Sequence, residues 1–175
     1  MSLSARIAPH LPLLRRFSRA VSGSQTSGDA LVAATLEAII ADISVFPEAS
    51  TERVALYKLF ARLFTSVAVR IPQETPSAPW EQRAALNLGS LAPRQRQAFL
   101  LIAVEGFTED EAGDILDASS EEFSQLLSQA SAEISRQVAT DVMIIEDEPL
   151  IAMDIEEMVE TLGHRVVGTA RTHRE

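Results

Sequence analysis

The chain has 175 residues, no cysteine, and a formal charge of −10 from 15 basic and 25 acidic side chains. With 46% hydrophobic residues it can bury a sizeable core, which excludes wholesale disorder, and without cysteine a disulfide scaffold, a thiolate metal site and a cysteine nucleophile are excluded too. The charge also argues against a general grip on nucleic acid, where Lys and Arg supply most of the affinity.

Helical periodicity governs the first 138 residues. A short helix is expected around Leu11 to Val21, and the glycine- and serine-containing stretch Ser22 to Asp29 reads as its connection to the next. Val32, Leu36, Ile39, Ile40 and Ile43 recur at three and four and mark a second helix; Val54, Tyr57, Ala61, Phe64 and Val67 mark a third. Together these predict a first helical bundle over residues 1–70, where 8 basic and 5 acidic groups leave a mildly positive balance. Pro72, Pro76 and Pro79 then remove backbone donors and force the residues before them out of helical geometry, so residues 71–90 read as a linker that lets two modules move. Trp80, the only tryptophan, is expected to pack on a neighbouring helix.

A second bundle is expected over residues 91–140. Pro93 suits the first turn of a helix reaching about Val104, which Gly106 stops. Thr108 with Glu111 forms a capping-box pattern for a short helix to about Leu116, and Ser119 with Glu122 repeats it. Phe123, Leu126, Leu127, Ala130, Ile134 and Val138 supply the stripe of the last helix. A short helix, a tight turn and a longer helix is the helix-turn-helix arrangement. The longest apolar run, Ala98 to Val104, is far short of the roughly 18 residues of a membrane span, and the N-terminus has arginines without an apolar signal core. A soluble cytoplasmic protein is expected, with no membrane partner.

From Asp141 the period changes. Val142 to Ile145 form a continuous apolar run, the mark of a parallel strand covered on both faces, and it ends in Glu146, Asp147 and Glu148. A helix with Ile151, Ile155, Met158, Val159 and Leu162 on one face follows, stopped by Gly163, and then a second strand, Arg165 to Ala170. One βαβ unit has too little core to stand alone, so residues 141–175 are expected to be the first part of a larger α/β domain cut inside it. The acidic surplus lies here and in the segment before, with net −7 over residues 106–140 and −6 over 141–175. His10, His164 and His173 are far apart, and neither a nucleophile elbow nor a glycine-rich phosphate loop occurs, so no enzyme is expected.

The stretch LAPRQRQAFLLIAVEGFTEDEAGDILDASSEEFSQLLSQA resembles region 4 of extracytoplasmic-function sigma factors, and LPLLRRFSRAVSGS, GDALVAATLEAII and RVALYKLFARLF resemble their region 2 more faintly. The likeness implies two small helical bundles, the second containing a helix-turn-helix, in a mainly α chain. Two departures matter. The family's recognition helix reads like Thr-Val-Lys-Ser-Arg-Leu with a further arginine, whereas here Glu122, Phe123, Ser124, Gln125, Leu126, Leu127, Ser128 and Gln129 stand and all three cations are gone. Glu121 and Glu122 open that helix, at the end a docked helix-turn-helix turns to base edges. Where region 2 tends to show Asp-Leu-Val-Gln-Glu, a polar patch that meets RNA polymerase, this chain has Ala30 to Ala34. The fold is kept while the DNA chemistry is removed, which weighs against the alternative of a DNA-binding transcription factor controlled by a receiver; no DNA partner is expected.

VMIIEDEPLIAMDIEEMVETLGHRVVGTA resembles the opening of a response-regulator receiver domain. That likeness implies that Glu146 and Asp147 help hold Mg²⁺, Asp147 as the direct ligand; hard carboxylate oxygens at the end of a parallel strand suit that ion. The family's phosphate-accepting aspartate ends the third strand, beyond these residues, so no catalytic residue is assigned. A sigma-like module without DNA-binding cations ahead of a receiver resembles the PhyR-type regulators of the general stress response. That resemblance implies partner switching: a histidine kinase phosphorylates the receiver, the sigma-like part captures a small helical anti-sigma protein of the NepR type, and the true sigma factor is freed. Asp110, Glu121 and Glu122 are the candidate partner-binding residues on an acidic rim.

Overall fold

The computed structural model describes residues 2–67 and 88–171, so the expectations for Pro72 to Pro79 and Trp80 lie outside the described residues. The chain divides into two compact units, Met1–Ala130 and Ser131–Glu175.

In the first unit, helix α1 (Leu3–Ile7) starts at Ser2, whose hydroxyl accepts the Ala5 N–H at 3.3 Å. Sequence periodicity misses α1 because five residues are too short to show a stripe. A 3₁₀ turn at Ala8–His10 leads into α2 (Leu11–Ser22), and α3 (Gln25–Ala41) follows almost at once. The connection is therefore Gly23 and Ser24 alone, not Ser22 to Asp29. Gly23 closes α2 in the left-handed conformation (φ 71°), and Ser24 restarts the helix by accepting the Ser27 N–H at 3.1 Å. Beyond α3 the Asp42 carboxylate accepts the Ser44 N–H at 2.9 Å, forming a 3₁₀ turn at Ile43–Val45, and α4 (Glu52–Val67) completes the region.

Leu14, Phe17 and Val21 of α2, Leu31, Val32 and Ile39 of α3 and Val54, Tyr57, Phe60 and Phe64 of α4 are buried together. Ile40 and Ile43 are not: they are 84% and 66% exposed, against the expectation that they share the inner stripe. In a helix apolar on nearly every side, spacing alone does not say which side faces inward.

Helix α5 (Pro93–Ala103) has proline in its first turn and ends before Gly106, which is left-handed at φ 68°. The capping box expected at α6 (Glu109–Ile115) is complete: Thr108 Oγ1 accepts the Glu111 N–H at 3.2 Å and Glu111 Oε2 accepts the Thr108 N–H at 3.0 Å. A tight turn leads to α7 (Ser120–Val138), where Ser119 Oγ accepts the Glu122 N–H at 3.2 Å. These helices are not a separate island. α2 packs on α5 and α4 on α6, and Ala98, Leu101, Phe107, Ala112, Ile115 and Phe123 continue the core of the first three helices. Val138, at the far end of the α7 stripe, is exposed, since the buried part of that stripe ends at Ala130.

In the second unit, β1 (Asp141–Ile145) and β2 (Arg165–Ala170) pair in parallel around α8 (Pro149–Thr161). Arg165 clamps Asp141 through two hydrogen bonds of 2.8 Å at the start of the ladder. Gly163 stops the helix at φ 85°, as its position after the apolar stripe implies. Only one sheet face is covered among the described residues: Ile144 and Ala170 are buried, whereas Met143 and Ile145 on the other face are exposed. α8 packs through Ala152, Ile155 and Val159, while Ile151, Met158 and Leu162 of the expected stripe are exposed. No helix among the described residues is long and apolar enough to cross a membrane.

Candidate functional site

Glu105 lies in the loop between α5 and α6, and its side chain is wholly buried. A buried carboxylate demands donors, and α2 and α4 provide them. Arg16 donates through Nη2 at 2.9 Å and Nε at 3.3 Å, Arg53 through Nη2 at 3.3 Å, and the Tyr57 hydroxyl at 2.7 Å. Arg53 also donates to the Glu105 main-chain oxygen at 2.7 Å and lies 3.9 Å above the Phe107 ring. Burial first, and the bond to Glu105 second, push the Tyr57 phenol well above its ordinary pKa, so it stays a donor. The Glu-Gly-Phe triplet at 105–107 is thus an ionic and aromatic knot joining the two helical segments. Sequence reasoning met the triplet only as part of a pattern and missed its role.

A second cluster ties α4 to the turn after α6. Lys58 Nζ lies 2.6 Å from Asp114 and 3.1 Å from Asp117, and Arg62 donates to both oxygens of Asp117 at 2.8 and 3.0 Å. Asp117 is left-handed at φ 49°, a conformation a short polar side chain tolerates in a tight turn. Arg62 first, and then Lys58, hold its carboxyl at about 2, against an ordinary 3.8. A depressed carboxylate contributes stability that is present above pH 3.8 and lost as pH falls through 2. The side chain is 47% exposed, and solvent screening limits the contribution to about 1 kcal/mol. Asp117→Asn keeps the turn geometry but loses the charge. It should lower stability by up to about 1 kcal/mol at pH 7, and its deficit should shrink between pH 4 and pH 2 in urea melts. A deficit independent of pH over that interval would refute the assignment.

The helix-turn-helix formed by α6 and α7 has three arginines near it between residues 88 and 140, and all are engaged. Arg94 pairs with Glu122 at 3.0 Å and donates to the Leu116 carbonyl at 3.1 Å. Arg96 is buried, donating to the Val21 carbonyl at 3.0 Å and the Leu91 carbonyl at 3.3 Å; Arg136 pairs with Glu133. No cation in this segment is left over for phosphate. Of the acids singled out in the sequence, Glu122 spends its carboxylate on Arg94, whereas Asp110 and Glu121 are exposed and take no partner among the described residues. Asp110, Glu121 and Glu122 belong to the first unit, Glu146 and Asp147 to the second.

Glu146 continues the β1 ladder, donating its N–H to the Ala170 carbonyl at 3.0 Å, and its Oε1 accepts the Glu148 N–H at 3.0 Å. Asp147 follows it, exposed. Two carboxylates at a strand end suit a hard cation that keeps most of its waters, but no group of three acidic or imidazole side chains gathers there among the described residues. They fit Mg²⁺ as part of a donor set.

Family models match two stretches: the Sigma2 domain of PhyR over residues 7–61, and the sigma-like domain of response regulator PhyR over residues 88–137. The phyllosphere-induced regulator PhyR of Methylorubrum extorquens is 42% identical over 175 residues, which span 100% of this chain and 65% of that protein. Anti-anti-sigma factor PhyR of Bartonella quintana, in a co-crystal structure with anti-sigma factor NepR, is 59% identical with a TM-score of 0.83, over 99% of this chain and 65% of that one. In the NMR structure of the PhyRSL–NepR complex from Sphingomonas sp. Fr1, the matched chain is 38% identical with a TM-score of 0.67, over 78% of this chain and 89% of that one. The chain therefore spans about two thirds, 65%, of the length of the first two relatives.

Proposed function

We propose, from the premise that the chain belongs to the PhyR family of response regulators, that it belongs to an anti-anti-sigma switch of the general stress response. The helical unit imitates a sigma factor and captures a small helical anti-sigma protein of the NepR type, which leaves the true sigma factor free for polymerase. Phosphorylation of the receiver by a histidine kinase, in the cytoplasm, shifts the population toward the capturing form. The observation that carries this reading is the segment 88–140 around the helix-turn-helix, whose arginines are all spent internally while Asp110 and Glu121 stay free. Such a surface repels phosphate and attracts a basic helix face.

In the receiver part, Asp147 would ligate Mg²⁺ directly and Glu146 would support it. When bound, the ion neutralises charge on a phosphoryl group. The acids themselves stand at a strand end, where Glu146 donates its N–H to the Ala170 carbonyl and its Oε1 accepts the Glu148 N–H.

The test is calorimetric titration of the 175-residue chain with a NepR-type protein, without a phosphodonor. Binding with Kd of about 1 μM or tighter, roughly −8 kcal/mol, is expected. No binding at tens of micromolar would sink the proposal, and a salt-dependent shift of promoter DNA would favour the transcription-factor reading.

A further inference from the structure

Four buried side-chain nitrogen or oxygen atoms take no hydrogen-bond partner among the described residues, and two of them, Arg94 Nε and Gln97 Oε1, belong to residues that line one cavity of about 250 Å³. The cavity lies within the first unit and is lined by α4, α5 and the end of α6. Part of its wall is apolar and buried, formed by Ala61, Ile115 and Leu116. Gln97 is 1% exposed, and its amide nitrogen reaches only the Pro93 carbonyl, at 3.5 Å. Buried polar atoms are ordinarily paired, so two orphans on the lining of one cavity point to a molecule that enters it.

The two orphans define the chemistry of that molecule. Positions 94 and 97 lie about one turn apart on the same face of α5, so the missing acceptor and the missing donor are neighbours. Gln97 Oε1 calls for an N–H or O–H, and Arg94 Nε calls for a lone pair. A planar amide carries both on one edge. Charge disfavours an anion. Arg62 gives Asp117 two hydrogen bonds of 2.8 and 3.0 Å, and Arg94 pairs with Glu122 at 3.0 Å, so both guanidiniums on the lining already have a carboxylate, and an anion would meet the unpaired Gln97 oxygen. Water alone fits poorly, because the volume equals that of about eight molecules and the side chains of Ala61, Ile115 and Leu116 offer them no hydrogen bonds.

We propose that this cavity binds a small neutral carboxamide or ureide, which donates an N–H to Gln97 Oε1, accepts from Arg94 Nε and lays its apolar body against Ala61 and Ile115. Such a site is distinct from partner capture and does not rest on the function proposed above. Titration of the isotope-labelled 175-residue chain with benzamide, followed by NMR, tests it. Saturable shifts at the Gln97 side-chain amide and at Ala61 and Ile115 are expected, with Kd of about 1 mM or tighter. Benzoate has the same shape but no N–H and a charge, and should bind about tenfold more weakly or worse. Gln97→Met removes the orphan oxygen at nearly constant volume; it should weaken benzamide about fivefold and erase most of the preference over benzoate. No saturable binding up to about 10 mM benzamide, far above the range small ligands of this size reach in a fitted pocket, would overturn the site. Benzoate binding as tightly as benzamide to the unsubstituted chain would overturn the amide assignment, whether or not Gln97→Met folds, and would leave only an adventitious contact with Arg62 and Arg94.

Discussion

Glu105→Ala is expected to destabilise the helical unit by about 3–5 kcal/mol, the cost of breaking a buried ion pair from one side. Its side chain is 0% exposed and takes hydrogen bonds from Arg16, Arg53 and Tyr57. Arg16, 54% exposed, can turn to water when the carboxylate goes. Arg53, at 25%, and the buried Tyr57 hydroxyl cannot, and Arg53 Nε already lacks a hydrogen-bond partner. Glu105→Gln keeps the volume and one acceptor but not the charge, so its cost should be smaller, about 1–3 kcal/mol. Urea unfolding followed by circular dichroism separates the two, and a loss below about 1 kcal/mol for Glu105→Ala would refute the knot as a stabilising element. A pH signature accompanies it. The Tyr57 phenol is raised in the folded state, so its contribution is fully present below the ordinary value of 10.0 and is lost as pH climbs beyond it. Tyr57→Phe should remove that alkaline loss.

The knot also explains which features were legible in the sequence. Signals that act within four residues read correctly. Thr108 and Glu111, Ser119, Gly106 and Gly163 end or begin helices where expected, because caps and left-handed glycines depend on local backbone. The strand from Arg165 to Ala170 was equally readable. Glu105 was not, because its partners lie 48, 52 and 89 residues away and nothing in its neighbours announces burial. The two-residue link at Gly23 and Ser24 was hidden among further serines and glycines, which look alike in composition but differ in which one caps. The phase of α3 was hidden for the opposite reason. An excess of apolar residues gives a stripe on any side, so periodicity alone puts Ile40 and Ile43 in the core when they lie outside it.

The site residues divide along the same line. The lost cations of the recognition helix could be read from the sequence against a pattern. That Arg94 is drawn onto Glu122 and Arg96 onto the Val21 carbonyl could not, since each needs the packing of one helix on another. Glu146 and Asp147 were legible as acids at a strand end, whereas a donor set for a cation is a three-dimensional property that two neighbouring residues do not define.

Gly28→Ala sets two principles against each other on helix α3. Propensity alone favours alanine in a helix interior by about 1 kcal/mol. Packing opposes it, because a Cβ at position 28 would stand 2.7 Å from both the Cα and the N of Arg19 and 2.9 Å from its Cγ. The first two are backbone atoms of α2, so no rotamer change relieves the overlap and the two helices must separate. That movement strains the Ser18 hydroxyl bond to the Gly28 carbonyl at 2.8 Å and the Arg19 clamp on Asp29, and loosens Leu14, Phe17 and Val21 against Leu31 and Val32. Overpacking costs typically 1–3 kcal/mol and more where backbone must move, so it outweighs the propensity gain. A net loss of about 2 kcal/mol is expected, a fall of roughly 4–8 °C in thermal midpoint for a unit of this size. A midpoint raised by Gly28→Ala would show that α2 and α3 yield without cost.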